Sequence, residues 1–215
     1  LGMAMGLDRT RGVLGISPLA AAYAHAHLAT VGWVTMMVAA PGLRLIPMKL
    51  PAAMPTGRSL SLSAVLMQAG VIVVAFSLIR QSAWLPVGAA LIGAGLASFV
   101  VQIRRALAHR MPKPPALPRR DWSTWQACVA LGWLIVSVLL GLVLSADVLQ
   151  AQRVPLSWCY GVAGLVGFLA QMVVGVQGRL VPMYAWYRAK AARGGTPPAR
   201  AANELPSEPF ARVIF

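Results

Sequence analysis

The stretch "YAHAHLATVGWVTMMVAAPGLRLIPM", residues 23–48, is an apolar run with two histidines and no charged residue before Arg44. Crossing a hydrocarbon core roughly 30 Å thick takes a helix of about 20 residues. Backbone polar groups find no water partner in lipid, so an apolar run of this length is stable there only as a helix. The stretch therefore predicts a transmembrane helix that carries both His25 and His27.

The same pattern recurs along the chain. Its 215 residues are 58% hydrophobic and only 11% charged, which lies outside the usual range of a soluble domain. Five charge-free windows are long enough to span a membrane, and around them we predict helices over about 18–43, 59–79, 83–104, 122–146 and 155–182. We therefore expect an all-α integral membrane protein with an outer-side segment over 1–17, a five-helix membrane domain over 18–188, and a basic, proline-rich inner tail or linker over 189–215.

The net charge of +14 marks orientation, because lysines and arginines gather on the cytoplasmic side of membrane proteins. Four basic residues fall on one side of the predicted helices, namely Arg9, Arg11, Arg80 and Arg153, and the other fifteen fall on the opposite side. The fifteen are therefore assigned to the inside. We expect a multi-pass protein of the bacterial inner membrane, with its N-terminus outside, that contacts membrane lipid and no nucleic acid.

Both ends of the sequence suggest that it belongs to something larger. The opening "LGMAMGLDR" resembles the tail of an earlier helix, and "ARVIF" at the other end could begin a later one. We expect an internal piece of a longer membrane protein, or, as the alternative, a small subunit with a processed start. Other membrane subunits of a larger complex are the expected partners.

An internal repeat connects the first and last predicted helices. "GWVTMMVAAPGLRLIPM" (32–48) aligns without gaps to "GFLAQMVVGVQGRLVPM" (167–183), at an offset of 135 residues. The two copies share the ending RL[IV]PM, which is not merely apolar. They are four helices apart and therefore share an orientation, so a four-helix unit is predicted to repeat.

His25 and His27 are the candidate site. Ionisable residues inside a membrane are costly and are read as functional by default, and all five acids of the chain lie outside the apolar windows. Residues i and i+2 of a helix point about 200° apart, so the two imidazoles face different partners. Each could ligate its own metal centre, or each could simply bond across helices to a polar residue such as Gln68, Gln102, Gln126 or Gln171.

"AHAHLATVGWVTMMVAAPGLRLIPMKL" (24–50) resembles the histidine-pair helix of haem–copper oxidase subunit I, closest to the cbb-type branch. The shared features are His-x-His, a following Gly-Trp, a small-residue middle and a closing Leu-Ile-Pro. The resemblance implies a fold of four-helix arcs with related helices four apart. It also implies that His25 and His27 are axial ligands of haem iron, His25 of a high-spin haem and His27 of a low-spin haem.

The chain departs from that family in its remaining ligands. Only His109 is left for a copper site, and it falls in a predicted loop. The second repeat copy has Tyr160 and Val162 where the histidines would fall. The resemblance is therefore to a divergent, NnrS-like haem protein and not to an oxygen reductase, and enzymatic activity is not expected from these residues.

Two functions stay open at this point. The first is a haem-binding electron carrier or a haem-based, nitric-oxide-related sensor, with haem b held without covalent links because no Cys-x-x-Cys-His motif is present. The second is a cofactor-free structural subunit of a respiratory or photosynthetic membrane complex. The histidine pair favours the first, since a scaffold has little reason to keep two costly polar groups.

Overall fold

The protein is described here by a computed structural model, which covers residues 2–12, 15–49, 57–109 and 122–199 and the single positions 52 and 54. Within these residues there is no strand. In chain order the helices are α1 (Gly2–Arg11), α2 (Pro18–His27), a first π-helical segment (Leu28–Thr35), α3 (Met36–Lys49), α4 (Arg58–Arg80), α5 (Leu85–Ala108), α6 (Trp122–Ser145), a 3-10 turn (Gln150–Gln152), α7 (Arg153–Val162), a second π-helical segment (Ala163–Ala170) and α8 (Gln171–Ala192).

Four helices in the described part of the chain are long and apolar enough to cross a membrane: Arg58–Arg80, Leu85–Ala108, Trp125–Ser145 and Gln150–Ala192. This is the character of a membrane-embedded protein, as the sequence predicts. The first predicted span is also helical, because α2, the first π-helical segment and α3 follow one another without a break. The all-helical class is confirmed, and the fifth crossing remains a prediction.

The last helix continues ten residues beyond its predicted end at 182, so the first residues assigned to the tail, 189–192, are helical, and the rest of the domain division stays a prediction. Hydropathy marks where a helix leaves the hydrocarbon, whereas the helix itself continues until its hydrogen bonds are capped. Here α8 continues to Ala192 and ends at Gly194 and Gly195, both with positive φ. The Gly195 N–H donates to the Lys190 carbonyl at 3.0 Å, a glycine termination typical of helix C-termini. Positions from 200 onward lie outside the described residues.

The tightest packing in the described part joins α4 to α5. Gly70, Gly88 and Gly95 let the two backbones approach so closely that a Cβ on any of them would lie 3.0 Å or less from backbone atoms of the other helix. The hydroxyl of Ser63, on α4, donates to the Gly95 carbonyl at 2.7 Å. Close backbone approach through small residues, with a serine bond across it, is how membrane helices associate in the absence of a hydrophobic driving force.

Two other sets of small residues at helical spacing, Gly161/Gly164/Gly167 and Gly93/Ala97, are only partly used in packing. Gly167 sits against the ring of Trp133 and Gly164 lies near the Ser137 hydroxyl, while a Cβ on Gly161 would meet nothing within 4 Å. Gly93 makes ordinary contacts with Val138 and Leu142, and Ala97 is exposed. Spacing alone cannot show which face of a helix meets a neighbour.

The chain divides into two compact units. The first, Leu1–Lys113 with Val138–Arg153, holds α1 to α5 and the last third of α6. Its core lies between α4 and α5 and includes Met67, Val71, Leu96 and Phe99, all at least nine-tenths buried. The second, Pro114–Ser137 with Val154–Phe215, holds the first two thirds of α6 and nearly all of α7 to α8. Its buried apolar residues are Ala130, Leu134, Ala163, Phe168 and Met172.

Candidate functional site

The candidate site lies in a helical module that occurs twice. In the first copy an α-helix (Pro18–His27) leads into a π-helical segment (Leu28–Thr35) and then into a second α-helix starting at Met36. In the second copy the corresponding elements start at Arg153, Ala163 and Gln171. Each start is displaced by 135 residues, the offset found in the sequence. Long π-helical segments are rare in helices, and here two of them occur at positions that correspond in the repeat. The two copies therefore share a backbone conformation as well as a sequence pattern.

The repeat extends further towards the N-terminus than the sequence alignment indicates. Gly12, just after α1, and Asp147, just after α6, both have positive φ, at 64° and 55°, and they too are 135 residues apart. Residues Gly6 and Leu7 of α1 are identical to Gly141 and Leu142 of α6. α1 is thus the counterpart of the end of α6. The left-handed turns could not be predicted, because aspartate adopts this conformation only occasionally.

His27 is the last residue of α2, directly before the first π-helical segment. Its Nδ1 lies 2.8 Å from the Tyr23 carbonyl oxygen. A carbonyl only accepts hydrogen bonds, so Nδ1 carries the proton and, in the neutral ring, Nε2 carries the lone pair. Histidines that ligate metals are usually held by such a bond at the other ring nitrogen, which fixes the tautomer and the ring orientation. The half-buried His27 therefore has the form of a preset axial ligand.

The local bond is not unique to His27. His109, at the end of α5, has its Nδ1 3.0 Å from the Arg105 carbonyl oxygen, and it is exposed. What distinguishes His27 is its place: it is half-buried, it is the tenth residue of a helical run of 32 residues, and it lies next to a change in helical type. π-Helical turns occur frequently at functional sites.

His25 has a different environment, as the 200° separation predicts. It is exposed, and it forms no hydrogen bond with any residue that the structure describes. α1 lies beside it, since a Cβ on Gly2 would be 3.2 Å from Cε1 of the His25 ring. The two histidines therefore do not form a common site, and within the described residues no group of three or more His, Cys, Asp or Glu side chains could hold a bare metal ion.

The alternative role of the histidines, a hydrogen bond to a glutamine of another helix, is not found for Gln68 or Gln102. The Gln68 amide instead donates to the Gly32 carbonyl in the middle of the first π-helical segment, at 2.8 Å. The Gln102 amide donates to the Ser59 carbonyl at 2.8 Å and to the Ser98 hydroxyl at 3.3 Å. Gln68 and Gln102 therefore each join two helices through a backbone carbonyl of the neighbouring helix.

Gly32 is the point at which α4 reaches the π-helical segment. A Cβ on Gly32 would lie 3.3 Å from Cγ1 of the buried Val71, so a larger residue here would require the Val71 side chain to shift. The Thr35 hydroxyl adds a bond to the Thr30 carbonyl, five residues earlier, at 2.8 Å. Sequence analysis missed the π-helical segment, although the identity of Gly32 and Gly167 in the repeat was a signal of a backbone requirement.

No protein-family model matches this chain, nor does any curated protein or solved structure. The site therefore has to be interpreted from its own chemistry. It offers one imidazole with a fixed tautomer, a second, exposed imidazole, and a helix clamped at Gly32.

We expect a Gln68→Leu variant to weaken the clamp on the π-helical segment without unfolding the protein. Loss of the 2.8 Å bond to Gly32 should cost about 0.5–1.5 kcal/mol, measured as the free energy of unfolding in mixed micelles. The matched control is Gln177→Leu, at an exposed position of α8, which should be neutral. Infrared absorption of a ¹³C-labelled Gly32 carbonyl should move to higher frequency only in Gln68→Leu, and an unchanged band would contradict the assigned bond.

Proposed function

We propose that this chain is a haem-binding integral membrane protein of the oxidase subunit I type, acting as an electron carrier or as a haem-based, nitric-oxide-related sensor. The observation that carries the proposal is the bond between His27 Nδ1 and the Tyr23 carbonyl, which fixes the tautomer that can ligate iron through Nε2. Haem suits a site with few side-chain ligands, because the porphyrin supplies the equatorial nitrogens and the protein only the axial ones.

The proposed role of His27 is to hold haem b as an axial ligand, with its ring oriented by Tyr23. The half-buried setting of His27 limits access of water to that ligand. His25 is proposed as a ligand for a separate haem, since it faces another direction. Bound haem supplies reversible one-electron chemistry or binding of a small gas, and the chain's part is to set ligand type and polarity around the iron.

A cofactor-free structural subunit is the second candidate, and one observation favours it. The second copy of the module keeps the π-helical segment and the close glycine but has Tyr160 and Val162 in place of the histidines. The module therefore folds without imidazoles. A scaffold of this kind would join other membrane subunits of a respiratory or photosynthetic complex.

The experiment that separates the two is the visible absorption spectrum of the purified protein, oxidised and then reduced. We expect a b-type haem spectrum with a sharp band in the reduced state. A protein purified from haem-sufficient cells without any such absorption would reject the haem proposal and leave the structural subunit.

We also propose the predicted orientation in the bacterial inner membrane, with five crossings, the N-terminus outside and the predicted 104–121 loop inside. Cysteines introduced at Ala108 and Ala151 test it, in a background in which Cys128 and Cys159 are replaced by serine. Both positions are exposed, and a single crossing, α6, separates them. A membrane-impermeant maleimide added from outside should label the Ala151→Cys variant alone, and labelling of both variants would contradict the topology.

A further inference from the structure

The end of α8 extends well beyond the uncharged part of its helix. No charged residue occurs over 154–178, whereas α8 continues to Ala192. The uncharged stretch is already longer than the roughly 20 residues that cross the hydrocarbon. At a rise of about 1.5 Å per residue, positions 179–192 add about 21 Å of helix. This end of α8 therefore reaches the headgroup layer and the water beyond it.

One face of this end carries two tyrosines and an arginine. Tyr184, Tyr187 and Arg188 follow one another at spacings of three and four residues, which places them on the same side of a helix. Tyr184 is 70% exposed and Tyr187 is 57% exposed, and Arg188 is exposed as well. None of the three forms a hydrogen bond or an ion pair with any residue that the structure describes. We call these three residues the α8 face.

The two basic residues nearest this face differ in what they contact. Nζ of Lys190 lies 5.6 Å from the centroid of the Trp186 ring, a cation–π contact. The Trp186 ring in turn meets the Tyr187 ring edge-on, with 5.3 Å between centroids. Lys190 is thus held beside an aromatic ring of its own helix, and Arg188 is the charged group that projects from the face. No acidic residue occurs over 184–195, so the surroundings of the face are positive.

We propose that the α8 face binds the headgroup of an anionic phospholipid. The phosphodiester of such a lipid offers only acceptor oxygens, and the face supplies donors to them. The Arg188 guanidinium can donate two parallel N–H bonds to one phosphate, and the Tyr184 and Tyr187 hydroxyls can donate one each. Lys190 adds positive charge nearby. An anionic headgroup is therefore preferred to a zwitterionic one, which brings a cation of its own.

The chain's own tail is a poorer match to the α8 face than a lipid is. From position 200 onward the tail has two acidic residues, Glu204 and Glu208, and two basic residues, Arg200 and Arg212. Its side chains therefore carry no net charge, whereas an anionic lipid is complementary to the face. Binding of lipid by this face does not depend on haem, so the absorption spectrum and the test below can fail separately.

The test measures which lipid lies beside the α8 face. A fluorophore is attached to the Ala191→Cys variant, with Cys128 and Cys159 replaced by serine, because the exposed position 191 is one helical turn from Arg188. Phosphatidylcholine bilayers contain a small, equal fraction of phosphatidylglycerol or phosphatidylcholine that bears a nitroxide quencher near its headgroup. We expect the association constant from quenching to favour phosphatidylglycerol by at least about fivefold, which corresponds to roughly 1 kcal/mol per basic residue. Equal constants for the two lipids would overturn the proposal.

A matched pair of variants separates the face from the overall charge of the chain. Arg188→Gln should lower the preference for phosphatidylglycerol about fivefold. Arg80→Gln removes the same charge from an exposed residue at the end of α4, and it should leave the preference unchanged. An equal loss in both variants would show a diffuse attraction and would overturn the proposal.

Two further arms of the experiment examine other occupants of the α8 face. Inorganic phosphate, added at constant ionic strength, should not displace the labelled lipid, and displacement would mean a site for the free ion. Replacement of Glu204 and Glu208 by glutamine should leave the preference unchanged. A preference that appears only in that variant would mean that the tail occupies the face. Either of these results would overturn the proposal.

Discussion

A His27→Ala variant should lose the sharp absorption band that we expect from the reduced wild-type protein. His27 is the histidine whose tautomer the fold sets, through the 2.8 Å contact between Nδ1 and the Tyr23 carbonyl. Alanine keeps the helix and removes the only atom proposed to ligate that haem from this chain. The sharp reduced band should fall to background, and the haem content per chain, measured by extraction, should fall by the one haem that His27 is proposed to hold.

Two histidine variants serve as controls for this result. His109→Ala removes a ring with the same kind of local bond, at 3.0 Å from the Arg105 carbonyl, but in an exposed place, and it should leave the spectrum intact. His25→Ala should leave the His27 haem in place and affect only a second haem. Imidazole added to His27→Ala should restore part of the band by entering the vacated space, which a purely structural defect would not allow. Identical spectra for His27→Ala and wild type would reject the assignment.

The second large effect concerns the contact between α4 and α5. Gly95→Ala should lower the free energy of unfolding by about 1–3 kcal/mol, the usual cost of overpacking. The added methyl would lie 2.6 Å from Cγ of Met67, 2.9 Å from its backbone nitrogen and 3.0 Å from the Ser63 carbonyl oxygen. The Met67 side chain can move, but the backbone atoms cannot without separating the helices. Separation would also break the bond from the Ser63 hydroxyl to the Gly95 carbonyl.

Gly93 provides a matched control on the same helix. Its added methyl would lie 3.6 Å from the nearest atom, Cγ1 of Val138, which is ordinary contact. Gly93→Ala should therefore be neutral or slightly stabilising, because alanine is the better helix former by about 1 kcal/mol. Unfolding of both variants in mixed micelles, monitored by helical circular dichroism, gives the comparison. Equal stabilities for the two variants would contradict the close approach of α4 and α5.

Hydropathy predicted where the membrane helices lie, because in lipid a single segment can satisfy its backbone hydrogen bonds only by forming a helix. That constraint acts on composition alone, so α4, α5 and α6 are found within a few residues of their predicted ranges. Helix ends followed a different rule. The end of α8 at Gly194 and Gly195 depends on a glycine termination beyond the apolar stretch, which a charge-based boundary cannot detect.

The internal repeat was predicted from the sequence, but the helical type within it was not. Aligned residues 32–48 and 167–183 predicted that the first and last helices are related, and the two π-helical segments at the same offset confirm it. The π-helical form itself was not predicted, because hydropathy and spacing do not show which carbonyl accepts each backbone N–H. In the first π-helical segment, the Gln68 side chain of the neighbouring helix α4 also donates to the Gly32 carbonyl.

By itself the sequence determined the helical class, the membrane character and the relation between the two modules, because these follow from composition and from spacing along one helix. Only the tertiary structure decided that His27 is half-buried with a fixed tautomer while His25 is exposed. It alone decided that Phe168 and Met172 are buried while Trp33 and Met37 are not. The burial of a side chain depends on the helices packed against it, so two similar sequences packed against different helices differ in which side chains are buried.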